Sequence, residues 1–240
     1  MKNSKTDVVD ANTLAEYAAR MDFVAWTRPS NETIALRSFA RRIDALTSQK
    51  AASKNHLHAL TATAETPKAV LKDAKVAIAQ LEKRIDSLTA GALVLIGKHP
   101  DLERILALLI GIKGIGNTSA IALMGELLLL PPDLSHREWV KFAGLDPQAF
   151  DSGKSVHKKT RISKAGNRHI RSALYMPALS AKQHDPHVKA YFQHLVANGK
   201  TPLQAVGAVM RKLLHAIHGM LKHDMPFDNS RFYAIPTTAG

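Results

Sequence analysis

Two stretches of the chain repeat apolar side chains at the 3.5-residue spacing of a coiled-coil seam. The first runs through Leu36, Phe39, Ile43, Leu46, Lys50, Ser53, Leu57 and Leu60, and the second through Leu71, Ala74, Ile78, Leu81, Ile85, Leu88, Ala92 and Leu95. A sustained 3.5-residue period holds one face of a helix against a partner over many turns. Between the runs, Thr66-Pro67 reads as a helix cap followed by a first-turn proline. Two long helices joined by so short a turn fold back as an antiparallel hairpin, predicted over residues 30–98. Lys50 and Ser53 interrupt the first seam and mark either a loosely packed stretch or a register device. The hairpin leaves an apolar face that suits a second copy of the chain.

Helical signals dominate elsewhere. A helix is predicted from Asp7 to Met21, followed by an extended piece, Phe23–Trp26. Past residue 99, helices are expected over Asp101–Ile110, Asn117–Leu130, Ser135–Ala143, Asn167–His184, Pro186–Ala197 and Pro202–Lys222, with an irregular tail over 225–240. Pro177 falls inside one of them and is expected to kink it. Phe150–Ile162 is the second candidate for extended structure. The fold class is therefore mainly α.

Charge narrows the function. Lys and Arg total 33 against 20 Asp and Glu, a net charge of +13 in 240 residues, which favours a polyanionic partner. The chain has no cysteine, which excludes a disulfide scaffold, a thiolate metal site and a cysteine nucleophile, and fits a cytosolic protein. No apolar run is long enough to span a membrane, and the polar start lacks a signal peptide's core. Aromatic residues are scarce at 5%, which disfavours binding of single strands by base stacking.

The charge is concentrated. Between Ser152 and Arg171 lie Lys154, Lys158, Lys159, Arg161, Lys164, Arg168 and Arg171, with no acid among them. A one-signed run repels itself unless it meets an anion, so these side chains are candidate phosphate contacts. Ser152 opens this run, between Asp151 and Gly153. A serine hydroxyl needs a base or strong electrostatic support to act as a nucleophile. Flanking cations supply part of that support, while Asp-Ser-Gly is also an ordinary turn. A second candidate contact is Gly111-Ile-Lys-Gly-Ile-Gly116, which has helix-hairpin-helix spacing. Gly114 and Gly116 let a phosphate approach the backbone at the start of the next helix, and Lys113 adds charge. The same spacing also suits a tight turn that touches nothing. Asp7 and Asp10, three apart on a helix, share a face and form a candidate Mg²⁺ pair or a solvated helix start. The pairs His215/His218 and His184/His187 show no clear third ligand.

Taken in order, these motifs resemble a known family. Lys5-Thr-Asp7-Val-Val-Asp10-Ala11 is similar to the last acidic motif of the RNase-H-like domain in the bridge-RNA-guided insertion-sequence transposases of the 110/1111 group. Gly111–Gly116, Phe142-Ala-Gly-Leu145, Ser152-Gly153, Ile162-Ser-Lys164, Gly166-Asn-Arg168 and Arg171-Ser-Ala-Leu174-Tyr-Met176 resemble that family's C-terminal transposase domain in order and spacing. The resemblance covers Lys5 to Lys222. It implies a C-terminal remnant of an RNase-H-like domain over 1–29, whose first Asp and Glu belong to a longer stretch ahead of the motif. A coiled-coil hairpin over 30–98 and a transposase domain over 99–224 follow. It implies DNA transposition or recombination with Mg²⁺ held by Asp7 and Asp10, and with Ser152, rather than Ser155, forming a phosphoserine link to DNA. The implied partners are DNA, a structured guide RNA and further copies of the chain, with composite active sites and a cytoplasmic, nucleoid-associated location. The rivals are a non-catalytic nucleic-acid-binding protein that associates with an intact transposase, and a repair-type helix-hairpin-helix protein.

Overall fold

A computed structural model describes residues 7–21, 28–152 and 156–235, with backbone alone for 149–152 and 156–160. The predicted extended piece Phe23–Trp26 lies outside the described residues. The chain divides into two units, residues 1–30 and 31–240. In the first, helix α1 (Asp7–Arg20) has no buried residue. Local bonds support it: the Thr13 hydroxyl donates to the Val9 carbonyl at 2.8 Å, and Arg20 lies 4.0 Å from Glu16.

The second unit begins with α2 (Asn31–Thr61) and α3 (Lys68–Ile96), which pack antiparallel. The heptad positions explain the contact: Phe39 rests on the backbone of Gly91, where an added Cβ would stand 3.2 Å from the ring. Lys50, which breaks the apolar seam, points its ammonium at Glu82 (3.8 Å), as does Lys54 (3.3 Å). These exposed pairs add little stability but tolerate a polar residue in the seam. Burial is confined to one end of the hairpin. Leu36, Ala40, Ile43 and Leu46 of α2 and Ile78, Ile85, Ala92 and Ile96 of α3 are buried, and no residue between Leu46 and Ile78 is.

That buried end belongs to the core of the remaining helices. These are α4 (Pro100–Ile110), α5 (Asn117–Leu127), α6 (His136–Phe142), α7 (Arg168–His184), α8 (Pro186–Ala197), α9 (Pro202–His223) and α10 (Asn229–Phe232). Strands β1 (Pro147–Ser152) and β2 (Val156–Ile162) form an antiparallel hairpin between α6 and α7. Helix α5 is the centre: apolar around most of its surface, it packs on α2, α4 and α7, while α9 packs on α6, α7 and α8. Its close approach to α2 depends on Gly125, where a Cβ would fall 2.7 Å from that of Ala40. Local signals set the ends. Ser135 with Glu138, and Thr201 with Gln204, form capping boxes, and Asn167 and Asp185 cap α7 and α8. No helix among the described residues is long and apolar enough to cross a membrane.

The mainly helical expectation is met, and three details differ. Helix α5 stops at Leu127 rather than Leu130. The tail is not irregular throughout: Asp228 caps α10, Phe232 is buried, and the Tyr233 carbonyl lies 2.7 Å from Nδ1 of His187. The third difference concerns His215 and His218, which are joined by His136 from α6, with ring centroids 4.8 and 6.0 Å away. His218 engages the Leu134 carbonyl at 2.9 Å, while Nε2 of His215 is buried without a hydrogen-bond partner among the described residues.

Burial, helped by the nearby His136, Arg211, His218 and Arg137, pushes the His215 imidazole down to about 4. The folded protein therefore keeps His215 neutral where the unfolded chain takes up a proton. Stability is full above the unfolded value near 6.5 and falls as the pH drops toward 4, by on the order of 3 kcal/mol. Denaturant melts between pH 7 and pH 4 should show that loss, and His215→Leu should remove most of this component.

Candidate nucleic-acid interface

Ser152 is the last residue of β1, opposite Val156 across the hairpin tip, and Lys158 pairs with Phe150 and Arg161 with Gln148. The register slips between Gln148 and Phe150, a bulge that re-aims the outer part of the hairpin. Lys154 lies outside the described residues, and only the backbones of Ser152, Lys158 and Lys159 are described.

The foot of the hairpin is tightly fixed. The Ser163 amide donates to the Asp146 carbonyl (2.9 Å) and its hydroxyl to the Asp146 carboxylate (2.5 Å). The Lys164 amide donates to Gly144 at 3.1 Å and the Asn167 amide to Phe142 at 2.7 Å. Such proximity requires two glycines. Gly144 (φ +64°) and Gly166 (φ +111°) are left-handed, and a Cβ would collide with the Ala165 and Phe142 carbonyls respectively. Lys164 is itself left-handed, at φ +54°.

Around this foot the structure gathers four of the expected cations. Arg161, Lys164 and Arg168 are exposed, with no ion-pair partner among the described residues. Arg171 is half-buried and donates from Nη1 to the Ala143 carbonyl at 2.7 Å, so part of its donor capacity already holds the fold.

The turn between α4 and α5 divides its glycines between two tasks. Gly114, at φ +100°, packs against α7, where a Cβ would sit 2.8 Å from the Pro177 carbonyl. Gly116 caps α5 in an extended conformation with open space around it. Lys113 donates to the His184 carbonyl at the end of α7, at 3.4 Å. Of this turn, the start of α5 is therefore the part open to a ligand.

Sequence reasoning missed the polar group beneath the foot. Glu126, buried on α5, receives Arg41 Nε at 2.8 Å and Arg41 Nη2 at 3.4 Å, with Arg37 Nε 3.8 Å away. The Asn167 amide donates to the same carboxylate at 2.6 Å. Burial pushes the Glu126 carboxyl up. The bonds from Arg41 and Asn167, with the charges of Arg41 and Arg37, outweigh it and hold the group below its ordinary value. Nearby, His169 Nδ1 lies 2.8 Å from Asp44. Arg41, Asp44, Glu126 and His169, with Thr118, Ser119 and Ser172, line a cleft of about 170 Å³ between α2, α5 and α7. One signal for Glu126 was present: a lone acid in the otherwise uncharged, largely apolar α5 demands a partner.

Asp7 and Asp10 share the exposed first turn of α1. Two carboxylates do not complete a two-metal centre, and no group of three or more His, Asp or Glu suited to a metal occurs among the described residues.

Residues 106–193 match the model of the transposase IS116/IS110/IS902 family. The pilin gene-inverting proteins of Moraxella bovis and Moraxella lacunata are 28% and 29% identical over 94% of this chain and 68% of their own lengths. The insertion element IS110 43.6 kDa protein of Streptomyces coelicolor is 32% identical over 39% of this chain and 22% of its own. Over residues 106–193 the chain is thus similar to the IS110 family of transposases.

The two glycines of the turn should respond differently. Gly114→Ala should cost about 2 kcal/mol or more, because it needs a left-handed backbone and strikes α7. Gly116→Ala should cost less than about 1 kcal/mol, the loss expected from a weaker cap. Thermal or urea melts of the two variants check the contrast.

Proposed function

We propose that this chain binds DNA through the basic β-hairpin and the start of α5, and cuts and rejoins strands through Ser152. The observation that carries this reading is the one-signed cationic stretch on a rigidly footed hairpin, with Ser152 beside its tip. The Moraxella relatives are named for inverting a gene, and inversion of a DNA segment requires strand cleavage and religation. In the first step the Ser152 Oγ–P bond forms as a P–O bond to a sugar breaks; the serine proton departs and the leaving sugar oxygen gains one. Attack by a sugar hydroxyl of another strand reverses the step and frees the serine. Exposed guanidinium and ammonium groups stabilise the charge that builds on phosphorus oxygens. The helix-hairpin-helix turn adds backbone contacts, a structured RNA supplies guidance, and the hairpin of α2 and α3, read as a coiled coil, joins copies of the chain. The assignment of Mg²⁺ to Asp7 and Asp10 rests on the family resemblance alone, and no step is routed through it.

A non-catalytic binder that joins an intact transposase is the second reading, favoured by the isolated carboxylate pair of α1. The two are separated by incubating the protein, with its co-purifying nucleic acid, with plasmid DNA and Mg²⁺. The first reading predicts a covalent protein–DNA adduct that Ser152→Ala abolishes; salt-sensitive binding without an adduct supports the second. Replacing Arg161, Lys164 and Arg168 together by Ala should flatten the slope of log affinity against log salt by about 2 to 3. An unchanged slope removes these residues from the interface.

A further inference from the structure

We propose that Asn167 and Glu126 are positioning residues that, with Arg41, lock the foot of the Ser152 hairpin onto helix α2; the proposal rests on the reading of Ser152 given above. Asn167 spends each polar group on a different neighbour. Its backbone amide holds the end of α6 at Phe142 (2.7 Å). Its side-chain oxygen accepts the His169 and Ile170 amides at 2.9 and 3.4 Å, which starts α7. That leaves the amide nitrogen to donate to Glu126, 2.6 Å away. The other side of the same carboxylate holds Arg41 of α2. A second contact of the same sense, Asp44 to His169, joins α2 to the same turn of α7. Both links thus run from the base of the long hairpin to the residues directly after β2. The intervening chain is short, left-handed at Lys164 and Gly166, and bonded at each end to the segment that leads into β1. A shift of the first turn of α7 is therefore passed to both strands of the β-hairpin.

Ordinary structural glue would give the same contacts, so the test must separate holding the fold from aiming the hairpin. Asn167→Asp keeps the helix cap but loses the donor and sets two carboxylates face to face. Glu126→Gln keeps one acceptor but turns an N–H toward one of its two donors. The swapped pair, Asn167→Asp with Glu126→Gln, restores the bond with its direction reversed and keeps the formal charge. Covalent adduct formation on plasmid DNA, DNA affinity, thermal midpoint and amide hydrogen exchange over residues 156–167 are measured for all four proteins.

Each single variant should form adduct about tenfold more slowly or worse, with DNA affinity within about twofold of the parent, since small misplacements of reacting groups cost rate. Each should also exchange faster over 156–167, and the swap should recover both properties. The proposal is overturned if exchange over 156–167 is unchanged in both single variants. It is equally overturned if the swap recovers thermal midpoint but neither exchange nor rate, or recovers nothing. Should Asn167→Asp fail to fold, Glu126→Gln and the swap decide by the same comparison. If the parent forms no Ser152-dependent adduct, the serine reading falls, and the exchange data alone judge the positioning role.

Discussion

The buried carboxylate of Glu126 ties three helices of the second unit together. Glu126 sits on an apolar helix, where an unpaired charge is untenable, and its neighbours resolve the conflict by converging on it. Arg41 arrives from α2 with two hydrogen bonds, Arg37 adds charge, and Asn167 arrives from the start of α7. Removing one partner of such a group commonly costs several kcal/mol, whereas the intact set yields little net stability over an apolar substitute. Its value is specificity of arrangement: few other placements of these three helices satisfy all of its hydrogen bonds.

The small residues of the unit serve that arrangement. Gly125 and Ala40 let α2 and α5 approach closely enough for Arg41 to reach its partner. Gly144 and Gly166 let the end of α6 and the loop before α7 touch backbone to backbone. The result joins two parts of unlike character. One end of the long hairpin is part of the core, and its far half has no fully buried residue. The β-hairpin is fixed at its foot by the backbone bonds of Ser163, Lys164 and Asn167.

Much of this was legible in the residues. The heptad spacing found both arms of the hairpin, and the helices expected to start at Pro186 and Pro202 do so as α8 and α9. Those signals act within a few residues, so sequence carries them directly. Long-range pairing is a different matter. Arg41 and Glu126 are far apart in the chain, and nothing local names one as the other's partner. His136 joins His215 and His218 only through the packing of α6 on α9. Gly114 and Gly116 look alike in sequence, yet the fold packs one and opens the other. Ala40 lies outside the strict seam and is still buried, because α2 meets α5 as well as α3. The α10 helix escaped notice because its four residues are ordered by a cap and one buried ring rather than by a periodic pattern.

The central claim is that a hydroxyl at the tip of the basic hairpin becomes joined to DNA, and peptide mapping tests it most directly. After nuclease digestion, trypsin should release the peptide Phe142–Lys154, in which Ser152 is the one hydroxyl-bearing residue. The account predicts a residual nucleotide on that peptide, located at Ser152 by fragmentation. A nucleotide on the following peptide, which carries Ser155, or on any other segment, contradicts it.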